Sequence, residues 1–282
     1  MSLWDRAWPA PAKLNLFLHV VGRREDGYHL LQTAFRLIDR RDRLRYAPRD
    51  DGRVTLLRPL PGIDEASELS VRAARLLLAE SGSRQGVEIE IEKSIPVGGG
   101  LGGGSSDAAT TLVVLNRLLR LGASAEDLAR LGSSLGADVP FFVFGQNAFA
   151  EGIGERLTPL ELPAAWYVVL VPPLAVSTKA IFAAPELTRN SKTIKISSFS
   201  AGFGRNDLEP VVCGRHGEVA AHLAWLKQFG DARMSGSGAC VFAEFPSERE
   251  ARDVLSGMPD KMTGFVARGL DRHPLADLLD HG

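Results

Sequence analysis

Apolar and polar residues alternate over 12–20, AKLNLFLHV, placing Leu14, Leu16, Leu18 and Val20 on one side and Lys13, Asn15, Phe17 and His19 on the other. This predicts a strand with one polar face. The Asp26-Gly27 pair that follows is a hairpin signal leading to a second strand over 29–38, with short strands over 43–47 and 53–58. The period lengthens over 68–79, where Leu69, Ala73, Leu76 and Leu77 form the apolar stripe of a helix. Residues 87–92, VEIEIE, return to strict alternation and predict a half-exposed strand. Apolar helices are predicted over 105–119 and 125–135, the second opened by Ser124 with Asp127 three residues on, a capping-box pattern.

The composition shifts near LTPLELP. Beyond it the pattern predicts a strand over 166–172, a polar and mobile stretch over 188–198, a helix over 218–229 and a small-residue loop, MSGSGA, at 234–239. The small residues of that loop permit either close backbone approach to a substrate or triphosphate, or tight strand packing. The loop feeds the strand CVFAEF, and a helix over 247–257 and a strand over 264–268 follow. Strands and helices come in clusters instead of regular alternation, so the class is α+β. No internal repeat is visible.

The six glycines within PVGGGLGGG at 96–104 stand between a strand and a helix. Each gives up about 1 kcal/mol relative to alanine, so the run requires a physical reason. A strand, a glycine loop and a helix together make an anion site, because the helix N-terminus offers unpaired N–H groups and positive potential where bare backbone lets a phosphate approach. A spacer or a tight packing role is the alternative. The P-loop pattern fails because no lysine follows the glycines. The dinucleotide pattern is met formally by Gly98, Gly100 and Gly103, but a run this rich satisfies it by chance, and VEIEIE is not the fully buried strand of a Rossmann unit.

The 282-residue length favours two domains over one. With 45% hydrophobic and 24% charged residues the chain is an ordinary globular protein, and a net charge of −1 without a basic stripe disfavours general nucleic-acid binding. The N-terminus lacks the apolar core of a signal peptide, and the longest apolar run, at 164–176, is short for a bilayer and broken by Pro172 and Pro173. Cys213 and Cys240 have neither disulfide-framework nor zinc spacing, so a cytoplasmic protein is expected.

PVGGGLGGGSSDAA at 96–109 resembles the phosphate-binding motif of the GHMP kinases, the small-molecule kinases of galactose, homoserine, mevalonate and phosphomevalonate. PAKLNLFLHVVGRREDGYHLLQT at 11–33, LGADVPFFVFG at 135–145 and SGSGACVFAEF at 235–245 are similar, in the same order, to the branch of that family acting on 4-diphosphocytidyl-2-C-methyl-D-erythritol. The resemblance is weakest over 48–66 and after 268, and some relatives carry Asn where this chain has Glu68 or Ser67.

The resemblance implies a ribosomal-protein-S5-like N-terminal domain over 1–160, a ferredoxin-like C-terminal domain over 161–282, and transfer of the ATP γ-phosphoryl group to the substrate 2-hydroxyl, with Mg²⁺ implied by the ATP chemistry. It assigns ATP binding to Pro96, Val97, Gly98, Gly99, Gly100, Leu101, Gly102, Gly103, Gly104, Ser105 and Ser106. The catalytic pair maps onto Asp138, as base, and Lys13, which would stabilise its charge and orient the hydroxyl or phosphate. Alone, Asp138 fits a turn or cap equally well, and Lys13 a solvated strand lysine. Asn15, about 7 Å along the same strand face, is a substrate ligand or a structural hydrogen-bonder.

Tyr28 would stack on cytosine while His29 reads its polar edge and Phe182 closes the other side of the ring; the plain alternative for Tyr28 is a hairpin residue covering core. Lys93 either approaches the nucleotide or ends a strand. Asp107 is expected to point away from the phosphates and cap its helix. The small-molecule substrate is the expected partner, with no nucleic acid, no membrane, and a monomer or weak homodimer.

Overall fold

The computed structural model describes residues 2–199 and 203–279. In chain order the elements are β1 (Trp8–Arg23), β2 (His29–Arg49), β3 (Val54–Leu56), α1 (Leu69–Ser81), β4 (Gly86–Glu92), α2 (Gly103–Leu119), α3 (Ala125–Ser133), α4 (Val139–Phe144), β5 (Ala148–Gly152), β6 (Arg156–Pro159) and β7 (Trp166–Leu170). They continue with α5 (Thr178–Phe182), α6 (Glu209–Arg215), α7 (Gly217–Leu226), β8 (Arg233–Met234), β9 (Val241–Phe245), α8 (Glu248–Ser256), β10 (Gly264–Leu270) and α9 (Ala276–Leu279).

Among the described residues the strands form one ten-stranded sheet whose main path runs β3-β4-β2-β10-β7-β9-β8, with β1 and the β5-β6 hairpin also paired to β2. Only β3 and β4 pair in parallel among these strands. Helices α1 to α4 bury their apolar stripes against the β1, β2 and β4 part, through residues such as Leu77, Leu112, Phe141 and Ile89. Helices α6 to α8 cover the β7 to β9 part, where Val168, Leu208, Val212 and Leu226 are packed. The class is α+β, as the clustering of elements predicts.

Strand β2 joins the predicted strands over 29–38 and 43–47 into one. The polar residues between them continue the pairing with β1 across a register shift between Pro11 and Ala12, with Asp42 beside Ala10, and Asp42 is fully buried. The expected polar face of β1 does not meet solvent: Lys13, Asn15 and His19 are only 3%, 3% and 8% exposed. Two loops explain this, since Lys13 N–H donates to Leu101 O at 3.0 Å and Asn15 N–H to Ser235 Oγ at 3.2 Å. The stretch over 188–198, expected to be mobile, is fastened to β1 and β2. Gln32 exchanges hydrogen bonds with the Ile194 backbone at 2.8 and 3.1 Å, and Ser191 N–H donates to Val20 O at 3.0 Å.

Candidate active site

Asp42 sets the start of the glycine loop by accepting the backbone N–H groups of Ser94 and of Ile95, the latter at 2.8 Å. Gly98, Gly100 and Gly102 then take φ values of +70°, +76° and +74°, a region open to glycine and strained for other residues. Space is as restrictive as torsion, for a Cβ on Gly100 would lie 2.2 Å from Ser235 O. The loop is packed on the second small-residue loop: Cys240 N–H donates to Gly99 O at 3.0 Å and Ser235 Oγ–H to Gly100 O at 3.0 Å. Gly236, Ser237 and Gly238 also line the cavity, so MSGSGA both packs tightly and borders the space open to a ligand.

Helix α2 begins at Gly103 behind a left-handed Gly102, with no side chain capping it. Its first-turn amides and the positive end of a 17-residue helix border a cavity of about 910 Å³, the arrangement that attracts a polyphosphate. Residues 96–105 line that cavity; Ser106 is instead fully buried behind it.

Lys13, Asn15 and Asp138 converge in the same cavity. Lys13 Nζ lies 3.2 Å from Asp138 Oδ2, with the lysine side chain 3% and the carboxylate 31% exposed. The cation thus sits behind an acid that faces open space. Asp138 is the residue before α4, yet its side chain makes no capping hydrogen bond, so the cap alternative is not what the structure shows. Lys13 also donates to Asn15 Oδ1 at 2.5 Å, and Asn15 Nδ2 donates to Thr33 Oγ1 at 2.9 Å, which fixes the lysine against β1.

Tyr28, His29 and Phe182 line the same cavity. Tyr28 is 61% exposed on the turn fixed by Asp26, whose Oδ1 accepts the Tyr28 N–H at 3.1 Å. Phe182 stacks on His29, with centroids 5.0 Å apart and planes 30° apart, so the structure puts it on the imidazole where the sequence expectation had it across a base from Tyr28. His29 Nε2 accepts from Arg189 Nε at 3.1 Å. Burial, then the Arg189 and Arg23 guanidinium groups, hold His29 below its ordinary value, leaving a neutral ring whose free nitrogen is a donor.

Asp107 is absent from the cavity lining, as expected of a carboxylate turned from the phosphates, but it does not cap α2. It is 1% exposed and accepts from Lys93 Nζ at 2.6 Å, while Lys93 also donates to Asp42 Oδ2 at 2.5 Å. An apolar helix face packed on β2 leaves no solvent for this carboxylate, and its Oδ1 has no hydrogen-bond partner. Burial, opposed by the Lys93 ammonium and reinforced by Asp42, pushes the Asp107 carboxyl up to about 8. Against the cost of its own burial, the two carboxylates hold Lys93 above its ordinary value. Lys93 both lines the cavity and ties the end of β4 to the first turns of α2.

Sequence reasoning missed three supports of the site. Asn206 Nδ2 donates to Met234 O at 2.8 Å and Gly236 O at 2.7 Å, holding the second loop. Asp207 accepts the Val20 N–H at 2.8 Å and the Ser191 hydroxyl at 2.6 Å, and Arg189 clamps His29. The Asn206-Asp207 pair between loop-like stretches was the available signal; Arg189 had none.

The profile of the GHMP kinases N terminal domain matches residues 68–146, and that of the GHMP kinases C terminal matches residues 188–264. The chain is 63% identical to the 4-diphosphocytidyl-2-C-methyl-D-erythritol kinase of Thiobacillus denitrificans over 98% of its own length and 99% of that protein. It is 61% identical to the Nitrosospira multiformis enzyme of the same name over 96% of the chain and 94% of the relative. A crystal structure of 4-(cytidine 5'-diphospho)-2C-methyl-D-erythritol kinase superimposes with a TM-score of 0.82 at 35% identity, covering 94% of this chain and 99% of that one. The Methanococcus jannaschii mevalonate kinase, at 13% identity and a TM-score of 0.67, shares the fold. With both halves matched and full-length identities this high, the chain belongs to the GHMP kinase family, in the branch of the 4-diphosphocytidyl-2-C-methyl-D-erythritol kinases.

Proposed function

We propose that this chain is an ATP-dependent kinase that phosphorylates the 2-hydroxyl of 4-diphosphocytidyl-2-C-methyl-D-erythritol, a step of the non-mevalonate route to isoprenoid precursors. The observation that carries the catalytic assignment is the open face of Asp138 with Lys13 behind it, 3.2 Å away, in the same cavity as the glycine loop. The acceptor hydroxyl gives its proton to Asp138 as its oxygen attacks the γ-phosphorus, and the phosphorus–oxygen bond to the β-phosphate breaks, releasing ADP. The Lys13 ammonium and the α2 amides stabilise charge on the transferring oxygens. Asn15 orients Lys13, and Tyr28 and His29 select the cytosine.

Mg²⁺ belongs to the same proposal. It is normally carried by substrate phosphates with one or two protein oxygens, and the described residues contain no group of three His, Cys, Asp or Glu able to cage a metal. Ser105, lining the cavity on the first turn of α2, would hold it beside the phosphates, where it would neutralise their charge. The division into an ATP-binding half over 1–160 and a C-terminal half over 161–282, and a cytoplasmic monomer or weak homodimer, complete the proposal. Among the described residues no helix is long and apolar enough to cross a membrane.

The test is ADP formation from purified chain, ATP and the cytidyl substrate. Asp138→Asn lowers kcat by about 10²–10⁴, the usual worth of a positioned base, while ATP binding persists. Retention of kcat within threefold removes Asp138 from that role.

A further inference from the structure

Helix α5 borders the cavity through Thr178, Lys179 and Phe182. At its start, Thr178 Oγ1 is hydrogen-bonded to Ser237 Oγ at 2.7 Å, in the loop where a Cβ on Gly236 would come within 3.5 Å of Lys13 Nζ. At its end Phe182 lies on His29. Lys179 stands between them, three residues before Phe182 and so on the same helix face, and both line the cavity.

The other lining cations are engaged. Lys13 is paired with Asp138, Lys93 with Asp42 and Asp107, and Arg23 is turned onto Gly27 O at 3.2 Å. The carboxylates paired within this chain leave Lys179 aside, since no ion pair or side-chain hydrogen bond to its ammonium occurs among the described residues. A flexible, strongly hydrated ammonium of this kind is a point-charge partner for phosphate.

Given the proposed substrate, on which this inference rests, the diphosphate that links its cytidine to its polyol must cross the interval between the base cluster and Asp138. We propose that Lys179 is a specificity-determining residue that binds the substrate's diphosphate, so that the enzyme prefers a cytidine diphosphate ester to an uncharged cytidine or polyol. Thr178 and Phe182 fix the two ends of the short helix and so aim the lysine at this interval.

Lys179→Met keeps the length of the side chain and removes its charge. The expected result is a rise of about tenfold in KM for the cytidyl substrate, the scale of one charge-assisted contact, with kcat and KM for ATP within twofold of the parent. Lys179→Arg restores most of the loss. Calorimetric titration with CDP and with cytidine reads the same contact without turnover: the parent binds CDP more tightly than cytidine, and the methionine variant loses about tenfold of that preference. An unchanged ratio, a parent that does not distinguish the two, or a rise in KM for ATP in place of the cytidyl substrate overturns the assignment. If the parent fails to phosphorylate the cytidyl substrate, the proposed reaction falls, and the CDP-to-cytidine ratio still decides the role of Lys179.

Discussion

Replacing Lys93 with Met removes the one ammonium that bridges Asp42 and Asp107, side chains with 0% and 1% exposure, at 2.5 and 2.6 Å. Breaking a buried pair from one side costs about 3–5 kcal/mol because an uncompensated charge stays behind, and here two buried carboxyl groups lose the cation between them. The cost depends on pH with a definite sign. Burial pushes Asp107 up to about 8, so between its unfolded value near 4 and about 8 the folded chain holds a proton that the unfolded chain has lost, and this contribution to stability fades as pH rises.

Without Lys93 the Asp107 carboxyl loses the cation that opposes its burial and is pushed further up, so the destabilisation is largest at pH 8 and smaller at pH 5. Urea unfolding of the whole chain at the two values measures it. Asp107→Asn is the companion: it removes the titrating group, and stability of that variant falls less than that of the parent between pH 5 and pH 8. A loss in Lys93→Met below about 1 kcal/mol at pH 8, the range of an exposed pair, or an equal loss at both values, refutes this account of the buried cluster.

Two other perturbations test the neighbouring structure. Gly100→Ala brings a Cβ to 2.2 Å from Ser235 O at a φ of +76°, so the loop must move; KM for ATP rises at least about tenfold, and an unchanged KM would show that the phosphates do not use this loop. Ser124→Ala removes the Oγ that accepts Asp127 N–H at 3.1 Å; thermal or urea unfolding shows a loss of about 1 kcal/mol with turnover intact.

Alternation and period located β1, β4 and α1, because each shows one dominant apolar face in sequence long enough to read, and a long apolar run located α2, whose residues 106–115 are all buried. They did not locate α4, whose VPFFVF is apolar all round, nor the two-residue β8, nor the β5-β6 hairpin, whose strands are short and set by pairing with β2. The glycine loop was legible because six closely spaced glycines have few physical uses, and the Ser124-Asp127 cap because its reciprocal bonds are local. Lys13 with Asp138 was legible only through family resemblance: the two lie far apart in sequence, and neither residue alone points to the other. Asp107 was expected to turn from the phosphates and cap its helix; it lies outside the cavity lining, but the cap reading failed because the Lys93 ammonium that holds it comes from the end of β4. The burial of the Lys13 face likewise depended on loops from distant parts of the chain, which no local pattern reports.

Strand β2 also bears on how the molecule is made. Its Leu37 and Ile38 pair with Leu270 and Gly269 near the end of the chain, while its other stretches pair with β1, β4 and β5. Contacts this remote in sequence form slowly, since the intervening chain must first be confined. During synthesis the ribosome therefore releases a strand seam that stays open until β10 arrives, and Lys13, on the neighbouring strand, is laid down early but locked late.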